Sequence, residues 1–199
     1  MRSPYKGVHP NRWLGITRDL VKRHPLSTKE IVEVVLSSWD SIFASGIGPK
    51  DFRIGKDIFP KPQIMGFLLH ELIPLELAAR HSSVWRGETS SDDKDIVYIP
   101  DSSYSIELKT SSDPRHVYGN RSYAQASSKG KKAKSGYYLA VNFGKFTAKE
   151  SRPQIRLIRF GWIDSSDWIG QKAATGQQSR LHPDVESSKL LQLYSSSSE

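Results

Sequence analysis

Apolar residues recur at helical spacing in the first third of the chain and at alternating spacing beyond it. Trp13, Ile16, Leu20 and Val21 mark one face of a first helix that ends near Pro25. Ser27-Thr28-Lys29-Glu30 has the form of a capping box, in which the serine and glutamate side chains satisfy each other's backbone N–H groups. It opens a second helix with Ile31, Val34, Val35, Ser38 and Ile42 on one face, stopped by Gly46 and Gly48. Two helices joined by a short turn have the outline of a helix-turn-helix. Their contact faces are too apolar for a DNA-reading helix, however, and the pair is assigned to packing. Residues 49–63, rich in Pro, Gly and Lys, read as a surface loop. A third helix starts near Pro62 and runs through Ile64 to Leu72, with Pro74 kinking or ending it before Glu76.

The period then changes. Asp95-Ile96-Val97-Tyr98-Ile99 and Ser105-Ile106-Glu107-Leu108-Lys109 alternate as strands, and Pro100 to Tyr104 between them is a turn, so the two form a β-hairpin. A short helix is expected over 119–127, a Lys/Gly/Ser loop over 127–135, and strands over Gly136 to Phe143 and Gln154 to Trp162. The segment from Asp164 to Arg180 is dense in Gln, Lys, Ser and Thr, and Ser195 to Ser198 reads as a frayed tail.

Composition narrows the chemistry. The 199 residues suit one compact domain, and the absence of cysteine excludes disulfides, thiol catalysis, iron–sulfur clusters and Cys-based zinc sites. Any metal must therefore sit on oxygen or imidazole. Apolar runs such as Tyr137 to Val141 are far shorter than the roughly 20 residues that span a bilayer. A soluble, cytoplasmic protein without a signal peptide or membrane partner is expected. The net charge is +8, and the stretch from Arg115 to Arg159 alone holds eleven bases against Glu150. Such a concentration is the footprint of a polyanion partner, although a solvated lysine loop has the same composition.

The hairpin carries the candidate chemistry. Pairing Ile99 with Ser105 places Val97 opposite Glu107 and Asp95 opposite Lys109, so that Asp95, Glu107 and Lys109 project from one face, roughly 5 to 8 Å apart. Ile106 and Leu108 anchor the other face. Two carboxylates are hard ligands suited to Mg2+ or Mn2+. A bound cation activates water and stabilises charge on phosphorus, while the lysine orients the attacking water, which gives phosphodiester hydrolysis. An ordinary exposed Glu/Lys pair beside an exposed Asp fits the same spacing.

Asp95 followed by Ser105-Ile106-Glu107-Leu108-Lys109-Thr110-Ser111-Ser112 resembles the Asp…Glu-x-Lys motif of the PD-(D/E)xK nuclease superfamily. The order of helix, hairpin, helix and strand resembles its core. Lys56 to Gln63, Gly119 to Gln125 and Asp167 to Gln178 are similar to type II restriction endonucleases of the ScaI kind. The resemblance implies an α/β (α+β) fold, a central mixed β-sheet flanked by helices. In this division residues 1–48 are a helical part for packing or dimerisation, 49–194 the nuclease core with its DNA-recognition segment, and 195–199 a disordered tail. It implies Asp95 and Glu107 as metal ligands, Lys109 as the catalytic lysine and an acid from the preceding helix, with Glu71 the candidate and Glu76 behind it. Lys94 stands where the family's proline precedes the aspartate. Pro100-Asp101 is a literal "PD", but Asp101 lies inside the turn, so the geometry favours Asp95.

Base readers need side chains that fork onto base edges, and phosphate contacts set their register. Gln171, Lys172, Thr175, Gln177, Gln178 and Arg180 form the candidate recognition segment, with a polar surface loop as its alternative. Arg115, Asn120, Arg121 and Gln125 are candidate backbone contacts near the scissile bond, and Lys131, Lys132 and Lys134 candidate phosphate clamps. His70 reads as a plain helix residue. The implied activity is Mg2+-dependent cleavage of double-stranded DNA at a short palindrome by a homodimer, paired with a cognate methyltransferase. A junction resolvase of the same superfamily and a non-catalytic basic DNA-binding protein are the alternatives.

Overall fold

The computed structural model describes residues 3–124, 134–171 and 177–196. In chain order the elements are α1 (Trp13–Arg23), α2 (Thr28–Ala44), β1 (Gly46–Ile47), β2 (Phe52–Arg53), α3 (Pro62–Arg80), β3 (Trp85–Gly87) and β4 (Ile96–Tyr98). They continue with β5 (Ile106–Ser111), β6 (Tyr118–Asn120), β7 (Gly136–Phe143), β8 (Ile155–Ile163), β9 (Trp168–Gly170), β10 (Gln178–Leu181), α4 (Pro183–Ser188) and β11 (Leu190–Ser195). Six strands form the main sheet in the order β11-β8-β7-β5-β4-β3. Only β5 and β7 run parallel within it, so the sheet is mixed.

The two faces of this sheet are covered differently. Ile106 and Leu108 of β5, Leu139 and Val141 of β7, and Ile158 and Phe160 of β8 join the main core with α2 and α3. The capping box is half present, with Ser27 accepting from the Glu30 N–H at 3.2 Å. α2 then buries Ile31, Val34, Val35, Ser38, Trp39, Ile42 and Phe43. The opposite face carries Tyr138 and Ala140, which pack with Val117, Trp168, Leu181 and Val185 in a second core. That second core lies under α4 and an antiparallel sheet of order β6-β10-β9. α1 packs along β8 and β11. The largest exposed apolar side chains of α3 are Ile64, Phe67 and Leu75. Among the described residues no helix is long and apolar enough to cross a membrane.

Four expectations need correction. Pro74 neither ends nor breaks α3, which continues to Arg80. Buried Leu69, Ile73 and Leu77 on both sides of it hold the helix through the lost hydrogen bond. Of the helix expected over 119–127, residues 119–124 are instead β6 and a short 3-10 turn, because Tyr118 to Asn120 pair with Gln178 to Arg180, and 125–127 lie outside the described residues. The loop expected over 49–63 holds β2, which pairs with β1 as a short ribbon. Ser195, expected to open a frayed tail, still pairs with Leu157 in β11, and residues 197–199 lie outside the described ones.

Candidate active site

The hairpin of β4 and β5 exists, but its register is set by Ile96 opposite Ile106, two residues away from the pairing expected. A two-residue shift keeps every side chain on its face. Ile96 and Ile106 both enter the main core, so Asp95 and Glu107 project from the other side and stand opposite each other. Opposed positions lie about 5 Å apart, which makes the convergence of the two carboxylates tighter than Asp95 with Lys109. Asp95 Oδ2 accepts the Leu108 N–H at 2.5 Å, tying its carboxylate to the backbone of β5.

The same alignment extends outward. Gly87 of β3 pairs with Ile96, which sets Glu88 beside Asp95. Glu88, just after β3, and Asp95, just before β4, thus continue in a row the position of Glu107 on β5. Glu88, Asp95 and Glu107 also all act on the Tyr123 phenol, whose pKa is raised first by burial and then by their charge.

Glu107 is the centre of the cluster and is 2% exposed. Its Oε1 accepts from Lys109 Nζ at 2.8 Å and from the Tyr123 hydroxyl. Its Oε2 faces Lys94 Nζ at 3.5 Å. Lys109 stands 4.6 Å from the centre of the Tyr123 ring, and Lys94 5.1 Å from that of Tyr138. A carboxylate so deep in the protein needs this compensation, since an unpaired buried charge is strongly unfavourable. The Tyr138 phenol, fully enclosed next to Glu107, is pushed well up by burial.

The donor set fits a hard divalent cation. All its oxygens come from carboxylates, that of Glu107 on β5 and that of Asp95 just before β4, with no cysteine in the chain. Asp95 and Glu107 are the residues that would hold such an ion. Among the described residues no group of three or more His, Asp or Glu side chains is arranged to hold a metal ion, so the candidate ligands are these two carboxylates. An open site of this kind leaves positions for water and phosphate.

Beside the row, a cleft of about 800 Å3 opens between α3 and the β6-β10-β9 sheet. Glu71, exposed on α3, lines it together with His70, Glu88, Asn120, Lys145 and Gln178. Asp95, Glu107 and Lys109 are not in its wall, and Glu88 is the link between cleft and row. Glu76 lies elsewhere, bonded to Arg80 at 2.8 Å and to Ser37 at 3.1 Å. The Arg80 bonds hold its carboxyl below the usual range. Asp101 is likewise occupied, capping the turn through the Ser103 N–H at 2.9 Å.

The candidate DNA contacts separate into groups. Asn120 and Gln178 are cross-strand partners, Arg180 is exposed on β10, and Gln171 and Gln177 are exposed beside it. Arg121 joins this surface through its N–H to the Gln177 carbonyl at 2.8 Å. Lys134 donates to the Ser122 carbonyl. Arg115 is set apart, lining a second cleft of about 620 Å3 with Arg18, His116 and Arg159. Gln125, Lys131, Lys132, Lys172 and Thr175 lie outside the described residues. Glu88, Lys94 and Tyr123 carry no role in the sequence reading. Three-residue β3 is too short to show a period, and Tyr123 is brought in only by the pairing of β6 with β10.

Comparison with known proteins identifies the family. The sequence profile of the ScaI restriction endonuclease family matches residues 3–194. The chain is 51% identical over 194 residues to the type II restriction enzyme ScaI of Streptomyces caespitosus, covering 96% of this chain and 85% of that protein.

Proposed function

The chain belongs to the ScaI restriction endonuclease family, and on that premise we propose that Asp95, Glu107 and Lys109 are the centre with which it cuts DNA. It is a type II restriction endonuclease, hydrolysing phosphodiester bonds of double-stranded DNA at a specific sequence. Enzymes of this type use divalent metal ions, and Mg2+ is the ion proposed here, with Mn2+ able to replace it. The observation that carries the assignment is the facing pair Asp95 and Glu107, with Lys109 Nζ 2.8 Å from the Glu107 carboxylate.

Asp95 and Glu107 would hold the cation, which when bound supplies Lewis-acid stabilisation of charge on the phosphate and a more acidic water. The Leu108 N–H fixes the Asp95 carboxylate, and the Tyr123 hydroxyl and Lys109 fix that of Glu107. Lys109 presents its ammonium to the attacking water and to the charge that develops as the new P–O bond forms and the old one breaks. Glu71, on the cleft wall, is the proposed helix acid.

Asn120 and Gln178, which line the cleft, would reach base edges, with Gln171, Gln177 and Arg180 beside them; their support is the shared cleft wall and the cross-strand pairing. Arg121 and Lys134 serve the phosphate backbone, which fixes register and not sequence. Arg115 serves the same purpose from the rim of the second cleft. The target is proposed to be a short palindrome cut by a homodimer whose two-fold axis coincides with that of the DNA. The host genome is then protected by a cognate methyltransferase.

The test is plasmid digestion with Mg2+ by wild type, Glu107→Ala, Lys109→Ala, Asp95→Asn and Asp101→Asn. Discrete fragments are expected from wild type and from Asp101→Asn, and none from the other three. Cleavage retained by Asp95→Asn, or lost only with Asp101→Asn, refutes the assignment. A smear from wild type points to structure-guided cutting instead.

A further inference from the structure

Resting on the site just proposed, we propose that Lys94 is an internal counter-cation of Glu107 that a divalent ion must displace, so that this lysine sets the metal affinity of the site.

The Glu107 carboxylate is shared between two ammonium groups. Lys109 sits on Oε1 at 2.8 Å, close enough for a hydrogen bond, whereas Lys94 faces Oε2 at 3.5 Å. The side chain of Lys94 is only 10% exposed and that of Glu107 2%, so solvent screens this pair weakly. A cation on Glu107 must sit about 2.0 to 2.1 Å from a carboxylate oxygen if it is Mg2+. Two further positive charges would then stand within a few ångströms of an ammonium in a poorly screened pocket. Lys109 is the lysine of the catalytic motif and stays, which makes Lys94 the group to yield.

The surroundings give it somewhere to go. Beside it lies a cavity of about 280 Å3, lined by Lys94 itself with Asp92, Asp93, Ser102, Ser103 and Ser135. The hydroxyls and the Asp92 carboxylate can receive the ammonium. Lys94 precedes β4 by two residues, at the end of a connecting segment, so its side chain can turn without breaking the β4–β5 ladder. The ring of Tyr138 stabilises the inward position, with Nζ 5.1 Å from its centre.

The consequence is an ion site that is neutralised while empty and exchanges one cation for another on loading. The experiment uses the full chain without DNA. Brief acetylation of lysines with and without saturating Mg2+, read by mass spectrometry, should show Lys94 labelling rise several-fold on ion binding. Labelling of remote Lys189, 2% exposed, should stay constant. Calorimetric titration should show Lys94→Met binding Mg2+ about tenfold more tightly than wild type. Lys94→Gln is the second variant, should the methionine not fold. Unchanged labelling with Mg2+ bound, or equal or weaker affinity in the variants, overturns the proposal. A wild type that binds Mg2+ no better than Glu107→Gln refutes the metal site itself, and the proposal falls with it.

Discussion

Lys189 offers a quantitative test of how the two ends of the chain are joined. Its ammonium is buried and donates to Asp164 Oδ2 at 3.0 Å and to both oxygens of Asp167 at 2.8 Å. It also stands 4.3 Å from the Tyr5 ring and 4.4 Å from that of Trp13. Lys189→Met keeps the length and apolar stem of the side chain but removes the cation between two carboxylates. Asp164 retains donors from Ser3 at 2.8 Å and Trp162 at 3.2 Å, whereas among the described residues Asp167 retains the Asp164 N–H alone. Stranding a buried charge in this way costs about 3–5 kcal/mol. In a protein of this size each kcal/mol lowers Tm by roughly 2–4 °C, so the fall is roughly 6–20 °C. Burial already raises the Asp167 carboxyl above 3.8, with Lys189 opposing that rise. Without the lysine the carboxyl rises further. A raised carboxyl pKa stabilises the fold at low pH and loses that contribution as pH climbs through the folded value. The gap between variant and wild type should therefore narrow as melts move from pH 7 toward pH 5. A variant melting within about 2 °C of wild type at pH 7, or a gap that widens in acid, refutes the account.

Three further outcomes are expected. His24, enclosed by Trp85, Tyr104, Tyr137 and Phe160, is lowered by burial from 6.5 to about 4. Its contribution is complete above pH 6.5 and lost as pH falls through 4, about 3 kcal/mol at most. Urea midpoints at pH 7 and pH 4.5 should diverge less for His24→Gln than for wild type, and an identical divergence removes His24 as the cause. A Cβ at Gly66 would lie 2.8 Å from Thr110 Oγ1, where α3 crosses β5. Gly66→Ala should cost about 1–3 kcal/mol and be largely restored by adding Thr110→Ala; failure of the second change to help rules out this contact. Glu88→Gln should lower the cleavage rate about tenfold or more with little change in Tm, and full activity would exclude Glu88 from the site.

The sequence pattern was most informative where one periodicity served one face. The strand read over Gly136 to Phe143 is β7 without a residue's difference. The hairpin strands are also present, but the turn between them is wider than the five residues the pattern predicts. Residues 102–104 form a 3-10 turn, and Tyr98 gives its N–H to the Ser105 side chain at 3.1 Å, so pairing starts two residues further back. Because the error was even, Asp95, Glu107 and Lys109 remained on one face. An odd slip would have hidden the site in the core. Glu88 and Tyr123 are less legible in the sequence, since Glu88 joins the cluster through three-residue β3, too short to show a period, and Tyr123 lies beside a strand paired with distant β10. The helix expected at 119 fails for the same reason. Local propensity there yields to β10, nearly sixty residues later, and a Cβ at Gly119 would come within 3.1 Å of the Ser179 hydroxyl.

The one parallel neighbour pair in the main sheet, β5 beside β7, obliges the chain to leave the end of β5 and return to the sheet's other end. That compulsory detour includes β6, whose partner β10 comes from a second detour between β8 and β11. The surface beside the cleft is therefore woven from two separate excursions, while the strands bearing the carboxylates stay in the main sheet. Divergence within such an architecture can alter which DNA is met without disturbing how it is cut. It must do so in matched steps, because a change in one excursion alone leaves the other's edge without a complementary partner.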